Sequence, residues 1–194
     1  MKDVDFDKCN LSAARFRGAT ITRARFRGAI LKSADLDVSE MRECDLSDAD
    51  LTEAAISGLI WDSCFDRAHM RRAMLVKADA SRCTFDDALL AASNAKRVHL
   101  SRCSLRGADL SGVNFHSALL IGVDLRKAKF EGALLRHAAF SGARVCGVVG
   151  RPAEIMDCKM TGLDFSEAGD GSDIRGEAEL FPDVQRSGES EEED

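Results

Sequence analysis

The side chains in this sequence able to move a proton, attack a substrate or hold a metal are four histidines (His69, His99, His116, His137), seven cysteines and many aspartates. Proton transfer needs a histidine held beside a nucleophile or carboxylate, and no Ser, Cys or acid constellation is evident around any of the four. The sequence holds no Walker loop, dinucleotide fingerprint, HExxH helix or calcium loop. No cysteine pair has zinc-ligand spacing. No catalytic residue, cofactor site or metal site is assigned, and no enzyme activity is expected.

The residues that would have to position any site follow one rule. Leu105, Leu110, Phe115, Leu120, Leu125, Phe130, Leu135 and Phe140 recur every fifth residue. Two positions before each sits a smaller residue: Cys103, Ala108, Val113, Ala118, Val123, Ala128, Ala133 and Ala138. A period of five fits neither the helix nor the simple strand, so it belongs to a repeating coil with two of every five positions inward. The histidines then fall on different sides and coils. Cys9, Cys44, Cys83, Cys103 and Cys158 fall in the small inward slot and are expected to be core residues, whereas Cys64 and Cys146 fall outside it.

The triplets Ala108-Asp109-Leu110, Ala34-Asp35-Leu36 and Ala49-Asp50-Leu51, with the variants Val123-Asp124-Leu125, Cys44-Asp45-Leu46 and Cys9-Asn10-Leu11, resemble the A-(D/N)-L-X-X signature of pentapeptide-repeat proteins. The resemblance implies an all-β fold: a right-handed quadrilateral β-helix with one pentapeptide per side. It also implies a range of non-enzymatic roles. Some members are DNA mimics that protect type II topoisomerases from inhibitors and dimerise at their C-terminal ends; others are secreted effectors, regulators or binding partners of unrelated proteins.

Taken from Phe6, the inward series continues through Leu11, Phe16, Ile21, Phe26, Leu31, Leu36, Met41, Leu46, Leu51 and Ile56, then slips before Phe65. Choosing Ile60 as the inward residue of a four-residue side keeps Phe65 stacked above Phe6, Phe26 and Leu46. The body, residues 1–165, is then about eight coils rising about 4.8 Å each. Ala80, Ala95 and Gly150 stand where a large residue is expected, and segment 146–152 is expected to loop or bulge. Stacking at a spacing of twenty pairs Arg15 with Asp35, Arg17 with Asp37, Arg25 with Asp45, Asp86 with Arg106, Asp109 with Lys129 and Asp124 with Arg144. Exposed pairs of this kind set register more than they hold the fold.

The net charge of −6 is unevenly distributed. Residues 166–194 carry eleven acids and two bases, leaving 22 acids and 25 bases, or +3, in the preceding body. A DNA mimic needs its negative charge on the rigid part, where spacing imitates phosphates. Residues 166–186 are expected to form a cap or linker, in which Ile174, Leu180, Phe181 and Val184 either cover the open end of the coil or join two copies end to end. Residues 187–194 are expected to be an acidic disordered tail. The first residues lack a secretory profile and no apolar run approaches a membrane span, so a cytoplasmic monomer or end-to-end homodimer is expected.

One side stands out for binding. Around the inward residues Ile60, Ala80, Leu100 and Leu120 it presents Leu59, Trp61, Asp79, His99, Leu119 and Ile121, with Ser81, Ser101 and Ser141 between them. An exposed tryptophan among aliphatics predicts a protein-binding face. The competing expectation is that Trp61 folds over the short side and plugs the slip. The expected function is shielding or neutralising a specific protein partner, as an immunity factor does. The alternative is a DNA mimic that binds DNA gyrase or topoisomerase IV and confers resistance to inhibitors. Direct nucleic-acid binding is not expected, since the cluster Arg15, Arg17, Arg23, Arg25 and Arg27 spreads over different sides.

Overall fold

The computed structural model describes residues 1–164, which form a parallel β-solenoid containing no helix. Six strands, β1 (Thr20–Thr22), β2 (Asp35–Arg42), β3 (Ala55–Trp61), β4 (Asp79–Ser81), β5 (His99–Ser101) and β6 (Leu119–Ile121), lie in sequence order in one sheet. Every pairing is parallel. This named sheet covers fewer steps than the coil count expected for the whole body. Single parallel bridges carry the same stacking elsewhere, and the longest series runs Asp5, Arg25, Asp45, Cys64, Thr84, Ser104, Asp124, Arg144, Asp164. Phe165, the cap or linker and the acidic tail lie outside the described residues.

The five-residue period has a hydrogen-bond cause. In one typical repeat, the Leu105 amide donates to the Asp124 carbonyl of the next coil (2.7 Å) and the Gly107 amide to Arg126 (2.9 Å). The Ala108 amide turns back to Leu105 (3.2 Å), and the Asp109 amide reaches the preceding coil at Ala88 (2.9 Å). Each side is therefore a short strand followed by a corner. The corner residue is left-handed even where it is not glycine, as at Arg82 (φ 53) and Arg97 (φ 57). The Asp or Asn of the signature helps form it. Oδ1 of Asp50, Asp109 and Asp124 accepts the amide two residues on, at 3.1–3.2 Å, which compensates a donor the corner would otherwise leave free.

The inward positions form one thin core. Phe26, Phe65, Phe115, Phe130 and Phe140 are fully buried, with Leu31, Leu36, Leu46 and Leu51. Phe65 and Phe85 stack at 4.8 Å between centroids and 8° between planes. Cys44, Cys83 and Cys103 fill the small slot, with all seven cysteines free. Cys9 departs from expectation: it is exposed, because the first coil has no neighbour on its outer side. Cys158 is only half-buried.

Ile60 is buried and pairs with Met41, as the slip requires. The slip itself is made differently from the simple pattern. Between Asp37 and Glu40 on β2 the register shifts, and Val38 rather than Ser39 turns inward; the Ser39 hydroxyl donates to the Gly18 carbonyl (3.0 Å). Opposite them, β3 has only Gly58, at φ +97. A Cβ there would lie 1.8 Å from the Val38 carbonyl oxygen, so only glycine fits. The later irregularity is equally local. Val149 still bridges Lys129 and Glu154 still bridges Leu134, and between them the Arg151 carbonyl accepts the Gly132 amide (2.8 Å) while the Ala153 amide donates to Ala133 (2.9 Å).

The outward columns follow the expected spacing, while the ion pairs are more selective. Arg17–Asp37 (3.4 Å) and Arg144–Asp124 (3.2 Å) form. Arg15–Asp35, Arg25–Asp45 and Asp109–Lys129 meet through backbone bridges only. Arg25 turns instead to Asp5 and Asp7 (2.6 and 2.9 Å), and Asp45 receives Arg27 (3.5 Å). Asp86 accepts the Arg106 backbone amide (3.0 Å) and the Ser104 hydroxyl rather than the guanidinium. Long arginine side chains reach either neighbouring coil, so spacing alone does not choose their partner.

Two measurements check this register. Phe85→Ala is expected to cost about 3–5 kcal/mol as a buried aromatic truncation, whereas Arg82→Ala, at the surface, should melt close to the parent; equal losses would refute the assignment. Gly58→Ala should cost more than about 3 kcal/mol because backbone must move. Gly18→Ala, with nothing within 4 Å of its Cβ, should cost about 1–2 kcal/mol.

Candidate protein-binding face

The residues singled out from the sequence share one face. Register places Leu59, Asp79, His99 and Leu119 in one outward column and Trp61, Ser81, Ser101 and Ile121 in another, across β3, β4, β5 and β6. Leu59 is 42%, Leu119 40% and Ile121 42% exposed. The inward residues between them, Ile60, Ala80, Leu100 and Leu120, are buried, so the outward side chains stand on a packed wall. Ile30, Met74 and Val149 are also exposed apolar residues but lie on other sides.

Trp61 does not plug the slip. Gly58 and Val38 close it, and Trp61 lies half-buried at the surface with the Arg42 guanidinium 5.2 Å from its ring centroid. Arg42 pairs with Trp61 across β2 and β3. The corner after it is pinned by Ser63, whose hydroxyl donates to the Trp61 carbonyl (2.9 Å) and accepts the Cys44 amide (3.1 Å). Arg42 was not singled out from the sequence, although its nineteen-residue separation across the slip points to it.

Polar groups divide the apolar ends. His99 sits between Asp79 (Nδ1 to Oδ1, 3.7 Å) and the Ser101 hydroxyl (Nε2, 3.0 Å). At one border Arg82 holds Asp62 through two hydrogen bonds of 2.6 and 2.8 Å, and this pairing holds the Asp62 carboxyl below the ordinary carboxylate range. The histidines are less scattered than expected: His116 and His137, 21 positions apart, meet edge to face at 5.6 Å, with Asp157 3.4 Å from His137. No group of three or more metal-ligating side chains forms among the described residues. A surface groove of about 430 Å³ elsewhere collects Asp86, Asp87, Arg106, Arg126, Lys127 and Cys146 without a histidine. Among the described residues no helix is long and apolar enough to cross a membrane.

The sequence model described as pentapeptide repeats matches in eight copies, over residues 1–37, 29–59, 83–120 and 114–149. The chain belongs to the pentapeptide-repeat family. Besides residues 150–194, the unmatched stretch is 60–82, which begins at the short side, yet Phe65, Met70 and Leu75 remain buried there in phase. No curated protein matches the chain. Among solved structures, a trypsin-treated QnrB1, described as a plasmid-mediated fluoroquinolone resistance protein, is similar over 86% of this chain and 82% of its own, at 17% identity and a TM-score of 0.69. HetL, a pentapeptide repeat protein involved in heterocyst differentiation regulation from the cyanobacterium Nostoc sp. strain PCC 7120, matches over 86% and 87% at 22% identity and a TM-score of 0.32. The likeness to QnrB1 concerns the fold alone.

The placement of Trp61 makes a stability prediction. Trp61→Ala removes the guanidinium–ring contact, worth about 0.5–2 kcal/mol, and leaves Ile60 in the core. Thermal or urea unfolding should show a loss well below that of Phe85→Ala; a comparable loss would assign Trp61 to the core.

Proposed function

We propose that this chain is a non-enzymatic protein-binding solenoid of the cytoplasm. It shields or neutralises a specific protein partner, as an immunity or self-protection factor does, and meets that partner through the face of β3–β6. The observation that supports the reading best is the exposure of Leu59, Leu119 and Ile121 at 40–42% beside Trp61 on one ordered sheet. Apolar side chains already fixed by a stacked backbone lose little further entropy on binding, which favours affinity from a modest area. Small serines between them leave recesses for a partner's side chains.

A second reading is a DNA mimic that binds DNA gyrase or topoisomerase IV and confers resistance to its inhibitors. The fold likeness to QnrB1 favours it. The charge opposes it: the body is +3, and acids in the outward columns are interrupted by arginines, as at Asp3–Arg23, Asp48–Arg67 and Asp62–Arg82, rather than presenting a continuous anionic track.

Affinity purification with mass spectrometry separates the two, since the first predicts one unrelated protein and the second predicts gyrase or topoisomerase subunits. Replacing both Leu119 and Ile121 by Asp should leave melting nearly unchanged and weaken partner binding by about 2 kcal/mol or more, roughly thirtyfold. Unchanged affinity in the folded variant would remove this face from the interface. Inhibition of gyrase supercoiling at low stoichiometry would instead establish the second reading.

A further inference from the structure

The corner bordering the candidate face on the side of β4 and β5 stacks two cations one coil apart with neither in an ion pair among the described residues; Arg82 also stacks on Arg102, but Arg82 holds Asp62. Elsewhere a cation stacks on an acid one coil away, as in Arg23–Asp3 (2.7 Å), Arg67–Asp48 (2.8 Å) and Arg82–Asp62 (2.6 Å). Here one coil step leads from Lys77 to Arg97, with Lys96 beside the latter. All three are exposed, and none makes an ion pair or side-chain hydrogen bond among the described residues. The flanking acids each face another side chain. Asn94 and Asn114 are neutral, Asp79 faces His99, Glu154 holds Arg136 (3.0 Å) and Asp157 faces His137. His116, one coil on, reports the same field: its pKa is lowered first by lost hydration and then by Lys96, His137, Arg136 and Arg97.

Like charges stacked one coil apart repel, and the repulsion is relieved when an anion covers them. The chain supplies such an anion itself. Residues 189–194 read Glu-Ser-Glu-Glu-Glu-Asp, five acids in six positions. Twenty-four residues lie between Asp164, the last described position, and Glu189. Fully extended, that length of chain spans at most about 80–90 Å. The corner column Arg97, Ser117, His137, Asp157 brings Arg97 within three coil steps of the terminal coil, about 15 Å along the axis. The axial span lies well inside that reach, so the tether lets the run meet this corner of its own chain.

We propose that the acidic run 189–194 docks on Lys77, Lys96 and Arg97 of its own chain. The docked run borders the column of Asp79 and His99, so it occupies one margin of the candidate face. The proposal stands whether or not that face binds a partner.

The test compares backbone and side-chain NMR signals of the full chain with those of a chain ending at Arg186, at low salt. Deletion is expected to shift Lys77, Lys96, Arg97 and His116 selectively. Raising salt from about 20 to about 500 mM should reproduce the deletion spectrum, because the contact is exposed and screened. A synthetic peptide of residues 187–194 added to the shortened chain should restore the shifts, and K77E with K96E and R97E should weaken the peptide at least about tenfold. Lys77→Gln, Lys96→Gln and Arg97→Gln serve if charge reversal disturbs folding. Unchanged corner signals on deletion, or equal shifts at the exposed cations Lys2, Lys8 and Arg15, would overturn the proposal. Shifts that appear only as protein concentration rises would assign the contact to a second copy and overturn docking within one chain.

Discussion

Parallel stacking of one coil on the next governs everything in this molecule. Because the Phe26 amide reaches Asp45 and the Asp45 amide returns to Ala24, each residue is tied to a position one coil away rather than to its sequence neighbours. A solenoid of this kind has almost no long-range topology to choose. Its core is a line, two inward side chains per side, and its surface is a set of columns. Binding surface, charge pattern and corner strain are all consequences of which residue types share a column.

The constraint explains how unfavourable local choices persist. Non-glycine residues at corners such as Arg82 and Arg97 adopt a left-handed conformation that is ordinarily uphill. The signature Asp or Asn compensates by accepting the amide two residues on, and the next coil compensates again by accepting the corner amide, as when Arg82 donates to Ser101 (3.0 Å). Local cost and global stacking are met by the same five residues. Where the signature lapses, in the residues between Val149 and Glu154, the regular corner is lost but Arg151 and Ala153 still bond to the preceding coil, and the phase is kept.

The fold and the membership of each side were legible because the period of five and the spacing of twenty are properties of sequence alone. Ile60 as the inward residue, the shared face of Leu59, Trp61, Asp79, His99, Leu119 and Ile121, and the two columns on it all followed from counting. What counting missed depends on side-chain length or backbone choice. Val38 displaced Ser39 from the core because a register shift is a backbone event. Arg25 chose Asp5 and Asp7 over Asp45 because a long side chain reaches either coil. His116 and His137 met because the two turn residues of a corner lie side by side on neighbouring coils, His137 stacking above Ser117 and beside His116. Cys9 was exposed because a repeat pattern carries no mark of where its stack begins.

The short side at Gly58 has a consequence for how such a chain tolerates changes of length. A four-sided coil acts as a phase wheel: inserting one pentapeptide advances everything downstream by a quarter turn, whereas inserting a whole coil lengthens the rod without turning it. Loss of one residue would be expected to throw the rest out of phase. Gly58, tucked against the Val38 carbonyl, absorbs that loss inside a single corner, so Trp61 still shares a column with Arg42 and Thr22 on the other side of it. The molecule therefore keeps its angular bookkeeping across a deletion, and surface features on either side of the defect remain collinear enough to be read by one partner.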